Sequence, residues 1–127
     1  MRLIEVLEKQ INFCKSLDGY KCGVFVKYGK DIKYVSDQVY EMIHEDDCVE
    51  KMIGRIGMTE IYFKNGSYIK ILPATDNAIG RRWNGVIIDS EIDKEIQNCI
   101  IYPKIIPRYL DKEFEPFEDT KKRILYW

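Results

Sequence analysis

EIYFKNGSYIKIL (residues 60–72) and GVIID (residues 85–89) are the two stretches that decide the fold of this chain. In the first, an apolar strand precedes Asn65-Gly66, a dipeptide typical of β-hairpin turns, and a second apolar strand follows it. In the second, a wholly apolar run ends in a carboxylate, as in a strand that is buried on both faces of a sheet. We therefore predict a hairpin and a central strand in one sheet.

The register of the hairpin depends on which pairing gathers the apolar side chains. A two-residue loop at residues 65–66 would mix polar and apolar side chains on one face. Adding Ser67 to the loop gives one clean apolar face, and register follows burial when one face is covered. The predicted pairs are then Phe63 with Ile69 and Ile61 with Ile71.

Helical periodicity predicts helices on both sides of these strands. Apolar residues recur at helical spacing from residue 3 to a stop near Asp18-Gly19, and again after Asp31, which we expect to cap the second helix. A weaker pattern at residues 45–57 predicts a short helix broken by glycines. Residues 91–101 predict another helix, with Ile92, Ile96 and Cys99 or Ile100 facing inward.

The order of these elements indicates the fold class. Residues 21–28 predict a strand, which we expect to lie beside residues 86–88 in the interior of the sheet. The chain is then an α/β domain: a small, mostly parallel sheet with flanking helices and a β-hairpin. We expect one domain over residues 1–127, with an aromatic and charged tail at residues 108–127.

Composition narrows the classes of function. The chain has 127 residues, 46% of them hydrophobic, and a net charge of −1, so its overall charge gives no reason to expect nucleic-acid binding. The cysteines form no C-x-x-C pair, which argues against a structural zinc site. No stretch approaches the roughly 20 apolar residues that span a bilayer. We expect a soluble cytoplasmic protein, with reduced thiols and no membrane contact.

Three short motifs resemble a known family. Phe63-Lys64-Asn65-Gly66-Ser67, Gly80-Arg81-Arg82 and Val86-Ile87-Ile88-Asp89 occur in the order found in the ATPase domain of phage terminase large subunits, which are helicase-like P-loop NTPases. The resemblance covers roughly residues 3–107. It implies a P-loop NTPase-like half domain, in which Asp89 stands where that family has the Walker B aspartate that helps to hold the magnesium of the nucleotide.

Two departures from the family argue against catalysis. The phosphate-binding sequence G-x-x-x-x-G-K-S/T does not occur in the chain. The family usually continues its strand with Asp-Glu, whereas this chain reads Asp89-Ser90-Glu91, so that Ser90 takes the catalytic position. We therefore expect no enzyme activity, no cofactor and no bound metal, with Asp89 as a vestigial Walker B residue. The structural alternative is that Asp89 ends the strand and caps the helix after it.

The resemblance implies a phage-type protein, for which we consider three functions. The first is a non-enzymatic interaction protein that binds and inhibits a host macromolecule, such as a component of a defence system. The second is an accessory subunit of a DNA-packaging or helicase-like assembly, whose P-loop comes from another chain. The third is a nuclease using Asp89, Glu91 and Asp93, which would share a face only in an extended segment.

The predicted partner-binding residues are Arg81, Arg82, Trp83, Tyr126 and Trp127. Tryptophan, tyrosine and arginine carry most of the binding energy at protein interfaces. Arginine forks fit an acidic surface of a host or phage protein and equally fit a nucleic-acid backbone. The alternative for Trp83 is a lid folded onto the core, and the alternative for the tail is packing against the domain.

Overall fold

The fold is an α/β arrangement in which one six-stranded sheet carries helices. A computed structural model describes residues 1–75, 82–105 and 122–127. The elements in chain order are α1 (Leu3–Ser16), β1 (Lys21–Val26), α2 (Asp31–Ile43), β2 (Val49–Arg55), β3 (Met58–Phe63), β4 (Tyr68–Pro73), β5 (Gly85–Ile88), α3 (Lys94–Ile96) and β6 (Ile124–Tyr126). A π-helical turn (Gln97–Ile101) and a 3-10 turn (Tyr102–Lys104) continue the chain after α3.

The sheet is mixed and mostly parallel, with the strand order β2-β3-β4-β1-β5-β6. Strands β4, β1, β5 and β6 run parallel, and β2 and β3 are antiparallel to their neighbours. Val24 pairs with Ile87, and all four residues of β5 are buried. These findings confirm the α/β class and the interior position predicted for residues 86–88.

The two faces of the sheet are covered by different parts of the chain. Helices α1 and α2 pack on one face, here called the helical face, against side chains that include Val24, Ile61 and Ile87. The opposite face is covered by Trp83 and by residues that follow β5, among them Ile92 and Ile101. Both clusters are apolar, and their burial is the main force that holds the sheet between its layers.

The structure corrects the prediction for residues 45–57, which form the edge strand β2 and not a short helix. An edge strand has one neighbour, so its residues are mostly exposed or half-buried and its apolar pattern is weak. Met52 pairs with Ile61 across the hairpin, and Gly57 takes φ +79° in the turn that joins β2 to β3. The glycines that suggested a broken helix therefore lie in a strand and its turn.

The β3–β4 hairpin has the predicted loop length but different pairs. Its loop has three residues, because Phe63 donates its N–H to the carbonyl of Ser67 at 2.9 Å. Ile61 therefore pairs with Ile69, a shift of two residues that leaves the same side chains on the helical face. Ser67 lies directly before β4 and outside the loop, where its hydroxyl donates to the carbonyl of Leu17 at 2.7 Å.

Two smaller corrections concern the helices. Asp31 is the first residue of α2 and makes no side-chain capping bond there. After β5 a turn precedes α3, and the π-helical turn adds a residue per turn, so Gln97 and Ile101 face inward while Cys99 is exposed. The helix predicted for residues 91–101 therefore begins later, while Ile92, Ile96 and Ile100 pack against the core as predicted.

Candidate functional site

A cleft lies at the edge of the sheet where the parallel strands end. The chain leaves β1 towards α2 on the helical face, whereas it leaves β4 and β5 towards the opposite face. Such diverging connections open a crevice at the carboxyl ends of the strands, where α/β proteins commonly bind ligands. The cleft measures about 530 Å³, and its polar lining consists of Lys27, Tyr28, Thr75, Glu91 and Asp93.

Asp89 stands beside this cleft, at the end of β5, and is half-buried. One carboxylate oxygen accepts the N–H of Glu91 at 3.0 Å, and the other accepts the N–H of Lys27 at 3.4 Å. Asp89 thus follows the end of β5, as the structural alternative predicts, but its carboxylate caps the turn after the strand and not helix α3, which begins at Lys94. Among residues 1–75, 82–105 and 122–127, no three Asp, Glu, His or Cys side chains converge as a metal site.

The structure places Trp83 in the core. Its side chain has no exposed surface, and its ring meets Phe25 edge-on at 5.5 Å between centroids. Gly23 makes room for it, because a Cβ there would lie 2.9 Å from the Trp83 ring. Contrary to the expectation of a surface anchor, Trp83 is a lid on the core. A glycine within the apolar β1 is the sequence signal of this close approach.

Of the other predicted partner-binding residues, Tyr126 and Trp127 pack on opposite faces of the sheet. Arg82 is exposed, and Arg81 lies outside the described residues. Tyr126 packs on the opposite face, where burial, together with the Tyr102 hydroxyl bonded to it, raises the pKa of its phenol. Trp127 packs against the helical-face core. The end of the described chain therefore packs back on the domain, and partner binding through these residues stays a prediction.

A second depression, which the sequence analysis missed, lies under helix α1 at the β6 edge of the sheet. It measures about 790 Å³, and we call it the edge groove. Its lining residues are Lys9, Asn12, Phe13, Ser16, Leu17, Lys122 and Leu125. Four of them belong to α1 and follow helical spacing, and Leu17, directly after the helix, extends them into a stripe beside the one that packs on the sheet. Their mixed polarity hides this stripe in the sequence.

The edge groove has a fixed frame because a buried side chain holds α1 over the last two strands. The amide of Gln10 donates to the carbonyls of Val86 at 3.1 Å and Arg123 at 2.9 Å. Its oxygen accepts the hydroxyl proton of Tyr20 at 2.7 Å. Gly85 passes directly beneath, where a Cβ would lie 1.9 Å from the Tyr20 hydroxyl oxygen. The network sets the position of α1 relative to β5 and β6.

Strand β6 presents an edge to this groove. Among the described residues it pairs with β5 alone. The carbonyl of Arg123 accepts from Val86, and the N–H of Trp127 donates to Ile88. Alternate residues of a strand direct their backbone groups to opposite sides. The N–H and C=O groups of Ile124 and Tyr126 therefore point outward.

Comparison of the chain with protein-family models, with curated proteins and with solved structures gives no match. The resemblance to phage terminase ATPase domains therefore has only the quoted motifs and their order as support. In the parts of the chain that the structure describes, no helix is both long enough and apolar enough to cross a bilayer.

Proposed function

We propose that this chain is a non-enzymatic interaction protein on a degenerate P-loop NTPase-like core, which binds and inhibits a host macromolecule. The phage origin and the inhibitory role follow from the terminase resemblance, and a protein of a host defence system is the target class we infer. The observation that carries the binding function is the edge groove, a preformed depression that combines apolar walls with two basic side chains.

The chemistry of the edge groove suits a protein partner. Phe13, Leu17 and Leu125 supply apolar surface, and the ionisable lining residues, Lys9 and Lys122, are both cationic. Phe13 is stacked on Tyr20 at 5.5 Å, so that its ring is already held before a partner arrives. Preformed apolar anchors lower the entropy cost of association. We therefore expect a partner segment with apolar anchors and acidic neighbours.

The test reverses the charge of the groove without touching its core. Lys9→Glu with Lys122→Glu is the groove variant, and Lys21→Glu with Lys64→Glu is a control with the same change of net charge at exposed sites. Tagged proteins are used to capture partners from host lysate, and each captured protein is then purified and titrated. We expect a partner that binds the wild type and the control, binds the groove variant at least tenfold more weakly, and is inhibited in its own activity.

Two results contradict this function. If every captured protein binds the groove variant as tightly as the control, the edge groove is not the binding site. If the wild type captures nothing beyond what an unrelated bait captures, the interaction function itself fails. Exposed charges contribute little to folding, so thermal scans should show all variants folded to nearly the same temperature.

A second candidate function is favoured by the position of Asp89 beside the carboxyl-edge cleft. In an assembly with the P-loop supplied by another chain, this carboxylate would help to hold the magnesium of a shared nucleotide. Calorimetry of the isolated chain with Mg-ATP should show nothing tighter than about 1 mM, roughly −4 kcal/mol. Adding a chain that carries the phosphate-binding sequence should then create ATP binding that Asp89→Asn abolishes. If Asp89→Asn changes nothing, only the first candidate remains.

A further inference from the structure

We propose that the partner is bound by strand addition: an extended segment of the partner protein pairs with the outer edge of β6 and fills the edge groove. The inference rests on the proposed function and adds to it the conformation and chemistry of the bound segment. It also assigns a role to the backbone of Tyr126, one of the residues that the sequence marked for partner binding.

The first step concerns the space beside β6. A helix with its side chains is about 10 Å across, which is about two strand spacings. Helix α1 is already fixed over β5 and the start of β6 by Gln10. Its stripe from Lys9 to Leu17 lines the edge groove together with Leu125 of β6, the outermost strand that the structure describes on this side. One further strand fits beneath this stripe.

The second step concerns the backbone. The outward N–H and C=O groups of Ile124 and Tyr126 offer a short ladder of donors and acceptors to an extended segment. Strand addition at a sheet edge takes its affinity from such main-chain bonds and its specificity from alternate side chains. The short ladder of β6 gives few bonds, so the groove must supply the remaining affinity.

The third step concerns the side chains of the bound segment. Alternate side chains of an added strand would enter the edge groove and meet Phe13, Leu17 and Leu125. Apolar residues suit these positions. The ammonium groups of Lys9 and Lys122 favour acidic residues beside them. The segment is therefore extended, with apolar residues at alternate positions and Asp or Glu near its ends.

An amphipathic helix of the partner is the competing occupant. A helix would use the same apolar wall and the same lysines, but its backbone bonds are internal, so it would leave the edge of β6 unpaired. The two occupants therefore differ in one measurable respect, the state of the outward backbone groups. This difference decides the design of the test.

The probe is the synthetic heptapeptide Asp-Thr-Val-Thr-Val-Thr-Asp, whose valines and terminal acids share one face, with a version carrying lysine at both ends as its charge control. We expect the acidic peptide to bind the full chain and the lysine version to bind at least tenfold more weakly. Amide hydrogen exchange followed by NMR should show new protection at Ile124 and Tyr126. The N–H of Leu125, which faces β5, should change little.

A pair of variants tests the hydrogen bond from the outward N–H of Ile124 independently of the exchange measurement. Ile124→Pro removes one outward N–H and leaves the β5 ladder intact, whereas Ile124→Ala removes the same side-chain packing and keeps the N–H. We expect the proline variant to bind the peptide about tenfold more weakly than the alanine variant. If the proline variant does not fold, the exchange measurement on the wild-type chain decides alone.

Three outcomes overturn strand addition: no binding of the peptide at about 1 mM, binding without protection at Ile124 and Tyr126, or equal affinity for both peptides. These failures are separable from failure of the proposed function. If the binding of a captured partner still depends on Lys9 and Lys122 but the peptide does not bind, the groove remains a docking site for another occupant. A partner indifferent to both lysines removes the proposed site itself.

Discussion

A buried amide joins helix α1 to the strands that frame the edge groove, and its replacement gives the sharpest test of the structure. Gln10 is fully buried and makes three hydrogen bonds, two to backbone carbonyls and one from the Tyr20 hydroxyl. We consider Gln10→Leu, Tyr20→Phe and the double variant. Asn12→Leu is the matched control, because it makes a similar change of amide to leucine at an exposed site of the same helix.

The expected magnitude follows from which groups lose their partner. In Gln10→Leu the buried hydroxyl of Tyr20 loses its hydrogen bond to the Gln10 oxygen, which costs about 1–3 kcal/mol. The carbonyl of Arg123 loses its hydrogen bond from Gln10 but keeps the one from the N–H of Val86. The cost there is that of one hydrogen bond, about 1 kcal/mol. Leucine restores part of this sum by apolar burial, about 1–2 kcal/mol. With a similar loss at the carbonyl of Val86, we expect Gln10→Leu to lower the free energy of unfolding by about 1–4 kcal/mol.

The double variant tests the mechanism. Tyr20→Phe alone should cost about 1–2 kcal/mol, because it leaves the Gln10 oxygen without its donor. When both polar groups are gone, no orphan remains, so the double variant should be about 1–2 kcal/mol more stable than the sum of the single effects predicts. The control Asn12→Leu should stay within about 0.5 kcal/mol of the wild type.

Urea unfolding followed by far-UV circular dichroism measures these free energies, and thermal scans should shift by roughly 3–4 °C for each kcal/mol. Additivity of the two single variants within about 0.5 kcal/mol would refute the hydrogen bond between the two side chains. A Gln10→Leu variant as stable as the control would refute the burial of the amide.

Three further predictions follow from other parts of the fold. Glu60→Gln should lower the midpoint of thermal unfolding at pH 7 but have progressively less effect as the pH falls below about 4. The reason is that a hydrogen bond from Tyr62 lowers the pKa of Glu60. The resulting stabilisation is present above the ordinary carboxyl pKa and is lost as the pH falls through the lowered pKa of Glu60. An equal shift of the unfolding midpoint at pH 7 and below about pH 4 would contradict this. Trp83→Ala should cost about 3–5 kcal/mol in urea unfolding, and a cost under about 1 kcal/mol would argue against its burial. Of the four free thiols, only the exposed Cys48 and Cys99 should react quickly with a thiol reagent before denaturation, and a third fast thiol would contradict the core.

The sequence predicted the interior of the sheet well because burial leaves a strong local pattern there. Strand β5 is buried along its whole length and is a continuous apolar run in the sequence. The edge strand β2 was misread because its side chains meet one neighbouring strand and solvent, so they carry almost no period-2 signal. The hairpin register depended on Ser67, whose side chain is held by residues far along the chain, and no local pattern reports that contact.

The candidate site was harder to predict than the fold because it depends on where elements stop relative to each other. Trp83 in a glycine-flanked loop has the composition of a surface anchor, yet the space left by Gly23 admits its ring to the core. The stripe at Lys9 to Leu17 contains too few apolar residues to mark a binding face. It lines a groove because β6, beneath it, is the outermost of the described strands on this side of the sheet.

The two edges of the sheet are built differently, and the difference favours docking at β6. Strand β2 is long, but the exposed Glu50 and Lys51 and a register shift between Val49 and Lys51 interrupt it. Charges and bulges on an edge strand are the usual means by which proteins prevent unwanted pairing. Strand β6 lacks such a charge within its three residues and has an apolar groove beside it. The edge of β6 is not protected by charge within the strand, and it lies under a helix that Gln10 fixes in place. A partner strand would therefore be tolerated and stabilised there.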